Sequence, residues 1–193
     1  MISSLIWPAA TGVTMFSKYR ILPLCLAAAF LLSAAPSSAR DADTVFFESV
    51  AGGWKGPGEI VAGKYKGTKF VCNLIGDHNA TKQKGISLDG TCRVGVFNQK
   101  MSAVITRKGK SYTGRFLDGA AGAGLDIVSG KISGDRAIMG INRKTLNGAM
   151  IARLHDEETM NVTISVKVGE QMVPVIGMTL KRDARKIKTG SLR

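Results

Sequence analysis

Between positions 160 and 168 apolar and polar residues alternate without a break. Met160, Val162, Ile164, Val166 and Val168 are separated by Asn161, Thr163, Ser165 and Lys167. A period of two sends one set to each side of an extended chain, so this segment predicts a strand with one buried and one wetted face. A half-buried strand cannot stand alone, and the rest of the chain offers more of the same texture. Gly169-Glu170-Gln171 turns into residues 172–180, where Pro174 implies an edge or a bulge because proline has no N–H to give to a ladder. Residues 103–106 and 111–117 flank the polar turn Arg107-Lys108-Gly109-Lys110. Further breaks fall at Gly76-Asp77, Asp118-Gly119, Gly134-Asp135, Asn147-Gly148 and His155-Asp156-Glu157-Glu158; Asp89-Gly90 reads as a turn or as a bulge in the strand that carries Cys92. About eight to ten strands result, at spacings of roughly 8 to 14 residues. So many short strands predict an all-β fold, a small antiparallel up-and-down barrel, because closure removes exposed edges.

Before the strands, Asp41 and Asp43 precede Val45-Phe46-Phe47-Glu48-Ser49-Val50, and Gly52-Gly53 closes the run. A capping carboxylate, an apolar stretch and a glycine stop predict a short N-terminal helix. Upstream of it, residues 18–39 have the form of a secretory signal peptide. Lys18 and Arg20 make a positive start, residues 21–35 are apolar, and Ser37-Ser38-Ala39 supplies small residues for cleavage. The apolar run is shorter than a membrane-spanning helix requires, and the remaining chain has no comparable one. Met15, just before Lys18, would start a leader of ordinary length, which leaves Met1 and Met15 both open as the start, and Cys25 lies inside the apolar run behind Leu24, a poor setting for lipidation. The expected organisation is a signal peptide (1–39), one barrel domain (40–180) and a basic C-terminal tail (181–193), with the product in the periplasm or secreted.

Cleavage after Ala39 would leave 154 of the 193 residues, enough for one core. Of 27 basic residues only Lys18 and Arg20 would be lost, leaving 25 against 14 acidic ones, a net charge of +11. That balance favours anionic partners, namely phospholipid head groups, lipopolysaccharide or acidic glycans, with peripheral membrane contact. Export and the lack of a recognition helix or aromatic RNA-binding motif argue against nucleic acid. Within the tail, Lys181, Arg182, Arg185, Lys186 and Lys188 are the candidates to grip an anionic surface. Cys72 and Cys92 are the cysteines left after cleavage. In an oxidising compartment, with no Cys-x-x-Cys spacing and only two histidines, they predict a disulfide rather than a metal site. Closing a loop of about 20 residues contributes roughly 3 kcal/mol in the chain-entropy treatment.

Gly52-Gly53-Trp54, placed after the helix and at the start of the first strand, resembles the Gly-x-Trp feature of lipocalins and other calycin barrels. The resemblance implies that Trp54 closes the barrel and that a basic residue from the last strand packs over it, a role Arg182 would fill by a cation–π contact. A wider resemblance spans nearly the whole mature chain. It rests on Gly53-Trp54-Lys55-Gly56-Pro57-Gly58, Lys69-Phe70-Val71-Cys72, Leu88-Asp89-Gly90-Thr91-Cys92 and Val128-Ser129-Gly130-Lys131-Ile132-Ser133-Gly134. Together these are similar to a family of small exported disulfide-containing barrel proteins of rhizobia and related alphaproteobacteria. The resemblance implies export and a fold, and brings no activity with it. This chain lacks the tryptophan that follows the Ile-Ser-Gly step in that family, having Ile138-Met139-Gly140 there.

Catalytic constellations are poor. His78 and His155 stand in predicted turns with no nucleophile placed beside them, and no nucleophile elbow is present. The 155–158 cluster is too contiguous to converge on one cation. Gly119-Ala120-Ala121-Gly122-Ala123-Gly124 lacks the Lys-Ser/Thr of a phosphate loop and reads as a connection at a barrel mouth. An outer-membrane barrel would carry aromatic girdles and a C-terminal aromatic, whereas the aromatics here end at Phe116 and the sequence ends in Arg193. The expectation is therefore a non-enzymatic exported barrel, without cofactor or metal, that binds an anionic or amphipathic envelope component. Two alternatives stand beside it: a calycin-like protease inhibitor inserting residues 41–49 into a protease cleft, and a structural envelope protein without a ligand. Ile127, Ile132, Ile164 and Val166 would line either a pocket or a packed core.

Overall fold

A computed structural model describes residues 41–117 and 124–184, one short helix and ten strands. Helix α1 is Ala42–Val50; the strands are β1 Gly52–Ile60, β2 Lys69–Asp77, β3 Gly85–Val94, β4 Phe97–Lys108, β5 Ser111–Leu117, β6 Leu125–Ser133, β7 Arg136–Arg143, β8 Leu146–Asp156, β9 Thr159–Val168 and β10 Gln171–Arg182. Each pairs antiparallel with its sequence neighbours, and β10 pairs with β1, from Trp54 opposite Arg182 to Ile60 opposite Ile176, so the sheet closes. The expected all-β barrel with an N-terminal helix is what the chain forms. The expected leader and the residues Arg185, Lys186 and Lys188 lie outside the described residues.

Alternation fills the barrel. Trp54, Cys72, Ile86, Ile127, Met139 and Leu180 point inward and are almost wholly buried, while the intervening positions, among them Lys55, Lys131, Asn161 and Lys181, face out. This polarity is the reverse of a membrane-spanning barrel, whose apolar side chains face lipid. Bulges at Pro174/Ile176, Ile127/Ser129 and Leu154/Asp156 bend the wall. Of the two roles open to Pro174, the bulge is the one realised, since a closed sheet has no edge.

Six connections are two-residue hairpins; Gly95, Gly109, Gly134 and Gly169 take the first central position of four of them with φ near +60°, and Glu157-Glu158 forms a fifth. The sixth corrects the sequence reading. Its turn is Lys144-Thr145, with Lys144 at φ 56°, and Asn147-Gly148 lies within β8, where the Asn147 side-chain oxygen accepts from Asn142 Nδ2 at 2.8 Å. Gly76-Asp77 closes β2 rather than breaking the chain. Asp89-Gly90 is neither turn nor bulge: it runs through the regular β2–β3–β4 ladder. A side chain at Gly90 would collide with the backbone oxygen of Asn73, which explains the glycine. The predicted break at 118–119 lies outside the described residues.

Candidate functional site

The up-and-down order puts α1 and the β2–β3, β4–β5, β6–β7 and β8–β9 connections at one end of the barrel, here called the floor. Trp54 and Arg182 build its centre. Gly52, at φ 105°, swings the chain out of the helix and into β1, and the Trp54 ring ends fully buried with the Arg182 guanidinium carbon 4.4 Å from its centroid. The same two residues finish the helix. Its last carbonyls have no partner within the helix. Ser49 and Ala51 oxygens accept from Arg182 Nη2 and Nη1 at 2.7 and 2.9 Å, and the Val50 oxygen accepts from the Trp54 indole N–H at 2.8 Å. Arg182 Nε donates to the Glu157 oxygen at 2.8 Å, which ties the β8–β9 turn into the same knot. A cation at a helix C-terminus is also favoured by the helix dipole.

The other end of α1 is held as firmly. Asp41 caps it, and Arg107 Nη1 lies 2.7 Å from the Asp41 carboxylate and 2.8 Å from that of Asp43, with Lys84 Nζ also 2.7 Å from Asp41. The Lys84 bond, then the Asp43 backbone N–H, holds the Asp41 carboxyl below its ordinary value. Burial, reinforced by the Asp43 carboxylate, pushes the Tyr112 hydroxyl well above its ordinary value, so it stays neutral beneath Phe47, against which it packs edge-on at 6.0 Å. The cap was legible in the sequence. Its partners were not, because Lys84 and Arg107 stand 43 and 66 residues away.

Above the floor is an apolar cavity of about 80 Å³, bounded below by Phe46 and Val50 of the helix. Five methionines, Met101, Met139, Met150, Met160 and Met178, line it, and the Cys72–Cys92 disulfide forms part of its wall. The cysteines face each other directly in the β2–β3 register, with Cα atoms 4.0 Å apart. Ser102 contributes the one hydroxyl among the lining residues, and none of them is charged. Of the four aliphatic residues named as pocket or core, Ile164 lines the cavity, Ile127 and Ile132 are packed core, and Val166 is half-buried. Sequence reading missed the methionine set. Only Met160 sits in a clean alternating run; the others need the barrel register to show that they point inward.

The remaining candidates are dispersed. Lys181 lies on the outer wall beside Lys55, its ammonium donating to the Thr159 hydroxyl at 2.6 Å. Arg182 belongs to β10 and the floor, so its guanidinium is committed there rather than presented to a surface. Residues 42–49 are helical, with Phe46 and Phe47 buried, not an extended strand free to insert into a cleft. His78 and His155 sit on separate elements, a single 3-10 turn at His78–Ala80 and the end of β8.

No protein-family model matches the chain, and no curated protein matches it in sequence. Among solved structures, the crystal structure of Rv2717c from M. tuberculosis is similar, with a TM-score of 0.52 over 73% of this chain and 97% of that one, at 11% identity. The likeness is one of fold.

Proposed function

We propose that the chain is an exported, non-enzymatic barrel that takes the apolar part of an amphipathic envelope molecule into its interior and leaves the polar part outside. The carrying observation is the cavity: apolar, free of charge, sealed at the floor by a pinned helix, and walled by methionines. Methionine is the side chain best suited to a variable occupant, being unbranched and polarizable. At about 80 Å³ the free volume is far below the roughly 300–1,000 Å³ of a ligand pocket. Occupancy therefore requires the methionines to swing aside. The leader-like residues 18–39 and the disulfide support export, and the resemblance to the rhizobial exported family is consistent with it.

Titration with a fluorescent long-chain fatty acid tests this reading. Saturable binding, lost in Ala152→Phe while the melting temperature changes little, is the expected result. The same small volume favours one rival, a structural module whose interior is simply packed. That rival predicts no saturable binding, and no retained lipid mass when protein purified from its own envelope is examined by native mass spectrometry.

A further inference from the structure

The end of the barrel opposite the floor carries a different surface. The connections β1–β2, β3–β4, β7–β8 and β9–β10 meet there. At or beside them stand Tyr65, Val96, Phe97, Leu146, Val168 and Met172, all exposed, with Val96 at 85% and Phe97 at 76%. The floor end has no counterpart beyond Val45. Single exposed apolar residues are ordinary, but six on four adjacent turns at one end are a patch. Charge follows the same division. Lys64, Lys66 and Lys144 lie in these connections against one acid, Glu170, among the described residues, itself 3.3 Å from Lys167; Arg93 and Lys167 flank them, as does the acid Glu59. Lys64 Nζ sits 5.5 Å from the Tyr65 ring centroid, so cation and aromatic face solvent together.

We infer that this rim docks on an anionic bilayer surface, with Val96, Phe97 and their neighbours entering the head-group region and the lysines meeting lipid phosphates. Apolar side chains that enter the interface and basic ones that stay at its surface are the two contributions such binding sums. Charge complementarity selects this occupant over an apolar protein partner, which would leave the lysines uncompensated. The inference rests on the carrier reading and deepens it: docking would turn the end away from the sealed floor toward the lipid that supplies the occupant.

Flotation with phosphatidylglycerol-containing vesicles, against vesicles of phosphatidylcholine alone, is the test. Wild-type protein should bind the anionic vesicles and weaken as salt rises. Val96→Asp with Phe97→Asp should bind about tenfold or more weakly, at unchanged melting temperature. Phe97→Trp should show a blue-shifted emission on binding. Met172, at the rim, separates this claim from the carrier claim. Its methyl NMR signal should broaden on anionic nanodiscs, whereas the five interior methionines report an occupant. A Met172 response without interior shifts keeps the docking surface and removes the carrier; interior shifts with a fatty acid but no Met172 response do the opposite. Three results overturn the inference: vesicle binding unaffected by Val96→Asp with Phe97→Asp, binding lost on deletion of 185–193 but retained in that variant, or a rim-dependent dimer of this chain that binds no vesicles.

Discussion

The two ends of this barrel, both made of strand-to-strand connections, present different surfaces. At the floor, acidic and basic side chains are paired, every carbonyl at the end of α1 that the structure could leave open has a donor, and Trp54 is wholly buried. At the rim, basic residues are in excess and large apolar side chains stand in solvent. The carboxyls of Asp41, Asp135 and Asp156, each held below its ordinary value, are at the floor. What separates the ends is how far the local groups satisfy one another: both termini of α1 are satisfied within the chain, although His78 Nδ1 and the Tyr112 hydroxyl, buried at the same end, have no hydrogen-bond partner among the described residues, whereas the rim presents apolar and basic side chains to solvent.

Removing the floor's centre is the largest expected blow. Trp54→Ala should cost about 3–5 kcal/mol, read from denaturant unfolding, because it empties a packed site and releases the indole bond to the helix. A double Cys72→Ala, Cys92→Ala variant should lose roughly 3 kcal/mol. It tests whether the middle of the wall, rather than either end, limits stability. Arg182→Ala should cost about 2 kcal/mol through the lost cation–π contact and the stranded Ser49 and Ala51 carbonyls. Its rim counterpart, Lys167→Ala, removes an exposed pair with Glu170 and should change stability by under about 0.5 kcal/mol. Equal losses for these two would erase the distinction between the ends. Lys144→Gly at the rim should stabilise by about 1 kcal/mol, since a lysine is held at positive φ there. Acid supplies the smallest and most diffuse effect. Asp41, Asp135 and Asp156 have folded values below the ordinary 3.8, through Lys84, Arg153 and the Thr159 hydroxyl respectively. Their stabilisation is complete above the unfolded value and is lost as pH falls through the folded ones. Melting temperatures from pH 6 to pH 2 should therefore drop in that acid window, with a shallower slope in Asp41→Asn.

The fold was largely legible because it is written in local patterns. Alternation in 160–168, glycine in the turns at Gly109, Gly134 and Gly169, and an aspartate before an apolar run each act over a few residues, whereas the β3–β4 turn at Gly95-Val96 was not read. What escaped reading depends on partners far along the chain or on a residue acting against type. The β7–β8 turn was displaced to Asn147-Gly148 because lysine is a poor turn former, and Lys144 takes the position nonetheless. Gly90 looked like punctuation, yet its reason is the approach of Asn73 on the next strand. The Trp54–Arg182 contact was expected from a resemblance, but the helix-capping half of Arg182's role emerged only when α1 was set against β10. The cavity was the least legible part, since five methionines on β4, β7, β8, β9 and β10 converge only once the barrel closes.

The central claim, an adaptable interior above a sealed floor, is met most directly by methyl NMR of selectively labelled methionine during titration with dodecanoate. The account predicts saturable shifts at Met101, Met139, Met150, Met160 and Met178 with the Trp54 indole signal unmoved. Interior methyls that stay fixed through millimolar dodecanoate, or a Trp54 signal that moves with them, would contradict it.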